Sequence, residues 1–289
     1  MLEAMARPLR GLSNGIAAVV DRFYAVLGGP GRLLQSFLNG VWLGHSLHAV
    51  LVDVVVGGST AAIFLDVLRL VFGVSGLEDA TFWVLALVTL SAVGAILTGL
   101  TDYKDTNHDT ATRDVTGLHG LVNIAGTMGF VISLVQRAND AYDAAFWVLL
   151  VSYLVVSVGA YIGGHVVYKY GYTVNWNAFS RGKKAAEFTP VASVIDVPDG
   201  VPTKVTFGAT AVMLVRRGEV VHALKDTCAH LGGPLSQGEL SEETITCPWH
   251  FSTFNLADGA VLRGPATSRQ VRYVARVNAG QVELQGPHD

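Results

Sequence analysis

The first two-thirds of the chain is built from long apolar runs separated by short polar ones. Four apolar segments stand out, at roughly residues 47–73, 80–101, 115–136 and 144–168. Each is close to the ~20 residues that an α-helix needs to cross a bilayer. Thr81–Leu100 and Ala144–Val167 contain no charged residue. The pattern predicts a transmembrane bundle of four α-helices.

Small residues recur inside these segments. Gly159 and Gly163 lie four apart in the fourth segment, a spacing that lets two helix backbones approach closely. Before the first segment, 12–27 and 31–43 have the pattern of amphipathic helices lying on a membrane surface. A helical lead-in with no role of its own is the alternative.

The pattern changes from Phe188 onward. Short β-branched runs at 211–215, 219–224 and 271–277 are separated by Gly, Pro and Asp, which is typical of a small antiparallel β domain. The predicted fold class is therefore a membrane α-helical bundle of four spans followed by a C-terminal all-β domain. The predicted boundaries are 1–44 for the interfacial helices, 45–170 for the bundle, 171–187 for a linker and 188–289 for the β domain.

The composition supports this division. Charged residues make up 15% of the 289 residues and hydrophobic residues 51%, whereas a soluble domain is usually about a quarter charged. The net charge of -3 gives no support to nucleic-acid binding. The first residues lack a clean signal peptide, so we expect the mature protein to begin near Met1.

Lysine and arginine in the short flanks predict the orientation of the bundle. With four spans, both termini and the loop 102–114 share one side, and that side holds ten such residues against Arg69 and Arg137 on the other. The positive-inside rule then predicts a multi-pass protein of the bacterial inner (plasma) membrane, with both termini in the cytoplasm.

The candidate chemistry lies in the last quarter of the chain. Cys228 and His230 form a C-x-H motif, and sixteen residues later Cys247 and His250 form a C-x-x-H motif. A Cys₂His₂ zinc site is the main alternative, but zinc fingers usually pair two cysteines and then two histidines. A disulfide between the two cysteines is disfavoured by the predicted cytoplasmic location.

This pattern resembles the Rieske family. The resemblance implies a [2Fe–2S] cluster in which two thiolates hold one iron and two imidazoles hold the other. It also implies that flanking residues surround the cluster; these are Leu231, Gly233, Pro234, Pro248, Trp249 and Ser252.

Departures from the family pattern predict a low reduction potential. The high-potential members carry an extra cysteine in each loop, and the corresponding places here are Gly233 or its neighbour and Trp249. Ser252 matches the serine that hydrogen-bonds a cluster sulfide, but Phe254 replaces the tyrosine. Because such hydrogen bonds raise the potential, we expect a ferredoxin-like value, which argues against quinol oxidation of the respiratory kind.

Histidines of the bundle suggest a second site. On the predicted topology, five of them fall on the cytoplasmic edge: His45, His48, His108, His119 and His165. Ionisable groups at membrane depth indicate a functional site, and two facing imidazoles could hold a haem b. Asn123 follows His119 by one turn and could hydrogen-bond a ligand. A quinone pocket, a non-haem metal site and a simple interfacial role are the alternatives.

The bundle also resembles an uncharacterised family of bacterial four-helix membrane proteins. The matching features are Gly44-x₃-His48-x₄-Asp53, Gly99-x₂-Asp102, His119 and Gly163-Gly164-His165. This resemblance covers about 125 residues and implies architecture rather than activity.

Two functional hypotheses follow. In the first, the protein is a membrane-anchored one-electron carrier that exchanges electrons with a haem or quinone site in the bundle. In the second, the helices are only an anchor, and the β domain is a ferredoxin for a separate oxygenase or reductase. The lipid bilayer is an expected partner under both hypotheses, and the sequence does not identify the redox partner protein.

Overall fold

The protein is represented by a computed structural model, which describes residues 1–106, 110–179 and 185–288. The chain divides into two compact units. The first comprises Met1–Gly31 and Ser46–Tyr170, and the second comprises Arg32–His45 and Gly171–Asp289. The helices are α1 (Leu2–Ala6), α2 (Arg10–Asn39), α3 (Leu47–Phe72), α4 (Glu78–Lys104), α5 (Thr110–Arg137) and α6 (Tyr142–Tyr168).

Helices α3 to α6 correspond to the four predicted spans. Each is 26 to 28 residues long, and at 1.5 Å per residue this gives about 40 Å, more than the ~30 Å hydrocarbon core of a bilayer. All four are long and apolar enough to cross a membrane. Gly73 ends α3 in the left-handed region at φ 68°, where its N–H reaches the Leu68 carbonyl. The predicted bundle of four long apolar helices is confirmed.

The core of the bundle lies where α3–α4 and α5–α6 pack together. Leu85, Val88, Phe130 and Leu149 are fully buried there, whereas large apolar side chains such as Trp83 on other faces of the helices are exposed. Apolar surface of this kind is stable in lipid and costly in water.

A buried ion pair joins two helices of the bundle. Arg137 of α5 binds both carboxylate oxygens of Asp66 of α3, and both side chains are almost fully buried. Removing one partner would leave an uncompensated charge in an apolar core. The pair therefore ties the register of α3 to that of α5.

Two glycines of α6 lie against α5. The spacing of Gly159 and Gly163 suggested close backbone approach between helices. A Cβ at Gly159 would lie 2.5 Å from the amide of Asn123, and one at Gly163 would lie 2.7 Å from the His119 ring. These glycines make room for polar side chains of α5.

The expected helices 12–27 and 31–43 correspond to the two parts of α2. These parts are separated by a kink at the non-helical residue Gly28 (φ 57°), and the second part ends at Asn39. The half before Gly28 packs on the bundle, where the Tyr24 hydroxyl lies 2.7 Å from that of Thr101. This contact places the first half of α2 against helices of its own unit.

The part of α2 from Arg32 onward belongs to the second unit. There the Ser36 hydroxyl accepts a hydrogen bond from the backbone of Gly264 at 3.3 Å. The two halves therefore pack in different units.

The second unit contains two antiparallel sheets. The six-stranded sheet has the order β1-β10-β9-β4-β3-β2 and the four-stranded sheet the order β5-β6-β7-β8. The strands are β1 (Ala185–Ser193), β2 (Thr203–Phe207), β3 (Thr210–Arg217), β4 (Val220–Lys225), β5 (Glu239–Leu240), β6 (Thr244–Thr246), β7 (Thr253–Asn255), β8 (Val261–Arg263), β9 (Arg272–Asn278) and β10 (Gln281–His288). The predicted all-β C-terminal domain is confirmed.

The described part of the predicted linker packs on the β domain. The backbone N–H of Trp176 donates to the Ala229 carbonyl at 3.0 Å. Asn177 is buried, and its side-chain amide donates to the Thr227 carbonyl at 3.1 Å. Residues 172–177 therefore cover the loop after β4 instead of spanning open solvent.

Candidate functional site

The four predicted cluster ligands occupy two loops of the second unit. Cys228 and His230 follow β4, and Cys247 and His250 follow β6. All four side chains are buried.

The two loops share one hydrogen-bond pattern. In the first loop, the Cys228 N–H donates to the Gly233 carbonyl and the Gly232 N–H donates to the Cys228 carbonyl, both at 2.9 Å. Gly232 has φ 80°, which closes the turn at no steric cost.

The second loop repeats this pattern. The Cys247 N–H donates to the Ser252 carbonyl at 2.8 Å, and the Phe251 N–H donates to the Cys247 carbonyl at 3.1 Å. The residue in the left-handed region is Phe251, at φ 62°. A bulky residue in this region is strained and occurs mostly at functional sites.

The folded loops bring like donors together. The thiols of Cys228 and Cys247 form a hydrogen bond with each other, and both cysteines are free of disulfides. The His230 and His250 rings lie 5.0 Å apart between centroids, nearly perpendicular. In the described part of the chain, no three His, Cys, Asp or Glu side chains surround a single point. The donors instead form one sulfur pair and one nitrogen pair.

Backbone N–H groups stabilise the thiolates. Those of His230 and Leu231 donate to the sulfur of Cys228, and those of Trp249 and His250 donate to the sulfur of Cys247. The hydrogen bond between the two thiols lowers the pKa of Cys247 to about 7 and raises the pKa of Cys228. One thiol therefore ionises well before the other.

The surroundings fit a compact metal–sulfur group. A Cβ at Gly233 would lie 2.8 Å from the Cys247 sulfur and 3.1 Å from the Trp249 ring, so glycine keeps this side of the site open. The buried Ser252 hydroxyl accepts the Ala266 N–H at 2.9 Å. Because that bond uses an oxygen lone pair, the hydroxyl proton remains to be donated.

The other predicted flanking residues lie in or beside the two loops. Leu231 is buried, and Pro234 pairs with Thr227 in an isolated bridge that closes the first loop. Pro248 lies between Cys247 and Trp249, and the Trp249 side chain is 44% exposed. Trp249 thus faces both the Gly233 backbone and the outside.

Gln270 was not predicted from the sequence, yet it organises the first loop. Its buried amide donates to the Lys225 and Thr227 carbonyls and accepts the Ala229 N–H at 3.0 Å. Asn177 also donates to it, at 3.2 Å. A lone glutamine 20 residues beyond the second loop carries no sequence signal, since its partners are all backbone groups or distant in the chain.

Comparison with known proteins assigns both units to families. Residues 187–278 match the family model of the Rieske [2Fe-2S] domain. Ferredoxin CarAc of Metapseudomonas resinovorans is 31% identical over 97 residues, covering 33% of this chain and 91% of that protein. The chain belongs to the Rieske [2Fe–2S] family. Residues 44–175 match DUF2231, described as a predicted membrane protein. Both predicted resemblances are confirmed.

Two further relatives share only the Rieske region. Apoptosis-inducing factor 3 of Mus musculus is 30% identical over 95 residues, which cover 33% of this chain and 16% of that protein. This chain thus spans about a sixth of that relative. The ferredoxin of carbazole 1,9a-dioxygenase from Nocardioides aromaticivorans IC177 is 28% identical, covers 36% of this chain and 100% of that one, and has a TM-score of 0.34.

The Rieske domain implies a [2Fe–2S] cluster, and this site fits one. It supplies two sulfur and two nitrogen donors in like pairs, with N–H groups aimed at both sulfurs. Two thiolates and two imidazoles are the donor set of such clusters.

The first unit brings together some of the predicted membrane histidines. The His48 and His119 rings lie 6.1 Å apart between centroids at 80° to each other, and both line a cleft of the bundle together with Asn123. The His165 ring lies 5.1 Å from that of Tyr161 and tilted to it, and His165 is not among the described residues that line this cleft. His45 belongs to the second unit, and His108 lies outside the described residues.

Proposed function

We propose that this chain is a membrane-anchored one-electron carrier in which Cys228 and Cys247 hold one iron of a [2Fe–2S] cluster and His230 and His250 hold the other. The observation that supports this most directly is the convergence of the four side chains as a thiol pair and an imidazole pair. The cluster, when bound, accepts and releases one electron at a time.

The protein contributes burial, hydrogen bonds and a fixed geometry. The N–H groups of His230, Leu231, Trp249 and His250 oppose the negative charge on sulfur, and the Ser252 hydroxyl adds a further donor. The two matching loops resist rearrangement because each is closed by its own pair of backbone bonds. A site that changes little between redox states transfers electrons with little reorganisation.

The expected potential is in the ferredoxin-like range. Neither loop carries a second cysteine, and Phe254 is an apolar core residue at the place of the tyrosine. With fewer hydrogen bonds to sulfur, the reduced state is less stabilised. This favours exchange with a separate oxygenase or reductase; one relative, of Burkholderia cepacia, is named as the ferredoxin subunit of anthranilate 1,2-dioxygenase.

The helices are proposed to anchor the protein in the bacterial plasma membrane. Four helices of sufficient length and hydropathy support this, as does the match to a predicted membrane family. The excess of lysine and arginine in the flanks favours a cytoplasmic Rieske domain.

The bundle is proposed to hold a redox site of its own, for a haem or a quinone. His48 and His119 favour this over a purely anchoring role, since two imidazoles meet in one cleft at a depth where polar groups are costly. A carrier of this kind would pass electrons between a soluble partner and the membrane.

Metal analysis of the detergent-purified full chain tests the cluster assignment. We expect iron and acid-labile sulfide in equal amounts and a low-temperature paramagnetic signal after reduction. Cys247→Ser should abolish the signal, whereas Ser241→Ala, in the turn between β5 and β6, should retain it. Stoichiometric zinc without a paramagnetic signal would overturn the proposal.

A further inference from the structure

Two histidines of the cleft are held by the same arrangement, called a histidine seat below. In each seat, the ring bonds a backbone carbonyl of the neighbouring helix and packs against a glycine of that helix. In the first copy, the Nδ1 of His48 on α3 donates to the Ala95 carbonyl of α4 at 2.8 Å. The ring lies against Gly99, where a Cβ would be 3.0 Å from it. Because a carbonyl only accepts, the proton is on Nδ1 and the lone pair is on Nε2.

The second copy lies between α5 and α6. The Nδ1 of His119 donates to the Gly159 carbonyl at 2.8 Å, and the ring lies against Gly163, where a Cβ would be 2.7 Å away. In both copies the glycine follows the carbonyl residue by four positions, one helical turn. Of the two ring nitrogens, Nε2 lies further from a Cβ built on the glycine, at 3.8 Å for His48 and 3.6 Å for His119.

The spacing of the rings suits two imidazoles on opposite sides of one metal ion. At a metal–nitrogen distance of about 2.0–2.1 Å, ring centres on either side of a metal lie roughly 6 Å apart. The observed separation is 6.1 Å. Proteins that hold a metal through Nε2 usually fix the ring by an Nδ1–H bond to a carbonyl or carboxylate, as both seats do here.

The walls of the cleft indicate what else surrounds such a metal. Among the described lining residues there is no carboxylate and no cysteine; most are aliphatic residues, alanines and glycines. A bare ion held by two nitrogens in such walls would lack the further donors that protein-bound metals require. A porphyrin supplies four nitrogens of its own and an apolar plate that matches the walls.

The lining of the cleft includes a buried tyrosine hydroxyl. Tyr103 is 5% exposed, and within the described residues its hydroxyl has no hydrogen-bond partner. It lines the cleft, and the Arg113 guanidinium lies 5.1 Å from the centre of its ring. A buried hydroxyl without a partner costs free energy unless a ligand satisfies it. A carboxylate on the occupant would satisfy this hydroxyl beside a positive charge.

We infer that the cleft binds one haem b, with Nε2 of His48 and Nε2 of His119 as its two axial ligands and the Tyr103 hydroxyl on a propionate. This deepens the proposed function and rests on its assignment of the helices as a redox-active membrane domain. It does not depend on the cluster ligands.

Absorption spectra of the detergent-purified full chain test the inference. We expect a Soret band, with sharpened bands on reduction as for two nitrogen ligands. His48→Ala and His119→Ala should each remove most of the haem, and His165→Ala should keep it. Retention of the reduced-cluster signal and an unchanged elution volume show that each variant is folded.

Titration of hemin into haem-depleted protein gives a second readout. The native chain should bind one hemin per chain, and Tyr103→Phe should bind it roughly tenfold more weakly, as expected for the loss of a hydrogen bond to a charged group. Tyr153→Phe is the matched control, because the Tyr153 hydroxyl lies beside the exposed Thr60 of α3.

The inference is overturned if native protein with an intact cluster signal shows no Soret band and no saturable hemin binding. It is equally overturned if His165→Ala loses as much haem as His119→Ala, or if the cleft yields an extractable quinone instead. A missing cluster signal in haem-containing protein would instead count against the cluster proposal alone.

Discussion

The loop site of the Rieske domain and the histidine cleft of the bundle solve one problem in two ways. Each site is built by using a small structural unit twice. In the loops, the unit is a cysteine whose N–H donates to the carbonyl five positions later and whose carbonyl accepts the N–H four positions later. In the bundle, the unit joins a histidine to a helix position 40 or 47 residues away.

This difference affects what a mutation does. The loops distribute their support over many backbone hydrogen bonds, so losing one donor leaves the others in place. The seats in the bundle depend on one carbonyl and one glycine each, so a single added side chain can fill the space that an imidazole needs. We therefore expect the cleft to be the more sensitive of the two sites.

The largest effect is expected at the glycine seat of His119. Gly163→Val places its Cβ within 2.7 Å of the ring, and overpacking of this kind costs about 3 kcal/mol. Gly164→Val is the adjacent control, because a Cβ there meets only the Tyr168 ring at 3.9 Å. Thermal unfolding in detergent should show a clear loss for the first variant alone. Equal losses would mean that the seat is no tighter than its surroundings.

A smaller effect is expected at the hub of the first cluster loop. Gln270→Ala removes the partner of the Ala229 N–H and of the Lys225 and Thr227 carbonyls, at a cost of about 2 kcal/mol for buried groups left unpaired. The cluster should be retained but lost sooner on heating, followed by its visible absorption. Gln281→Ala, on the exposed start of β10, is the control and should match the native chain. An unchanged melting curve for Gln270→Ala would show that the loop closes without it.

The smallest effect is expected at Ser252. Its hydroxyl accepts the Ala266 N–H and can donate its proton to a cluster sulfide, which favours the reduced state. Ser252→Ala should lower the midpoint potential by on the order of 40 mV, equivalent to about 1 kcal/mol for one electron. Potentiometric titration followed by the paramagnetic signal measures this, with Ser241→Ala as control. A rise in potential would contradict the assigned donor role.

Much of the Rieske site was predictable because its chemistry is local in the chain. Cys228 and His230 are two residues apart, and the backbone bonds that close each turn join positions only four or five residues apart, so motif and loop geometry are encoded together. Gln270 was not predictable, because a single glutamine side chain that binds backbone groups leaves no pattern. The packing of Asn177 on the same loop was missed for the same reason.

In the bundle, the periodicity of apolar residues was enough to predict four spans, since helix length in a bilayer follows from hydropathy alone. The periodicity did not indicate which of the histidines lie in the same cleft. All five lay on one predicted edge, yet only His48 and His119 share a cleft among those described. The side chains that pack on Gly159 and Gly163 were likewise not predictable, because the spacing of small residues indicates a smooth helix face and not what lies against it.

The sequence by itself determined the order of the two domains and the four apolar helices, and it predicted the four sulfur and nitrogen donors. Each of these depends on residues close together in the chain. Only the tertiary structure decided which histidines face each other, which glycines make room for them and which amide holds the cluster loop. Those contacts join residues 40 or more positions apart, and packing between distant segments decides them.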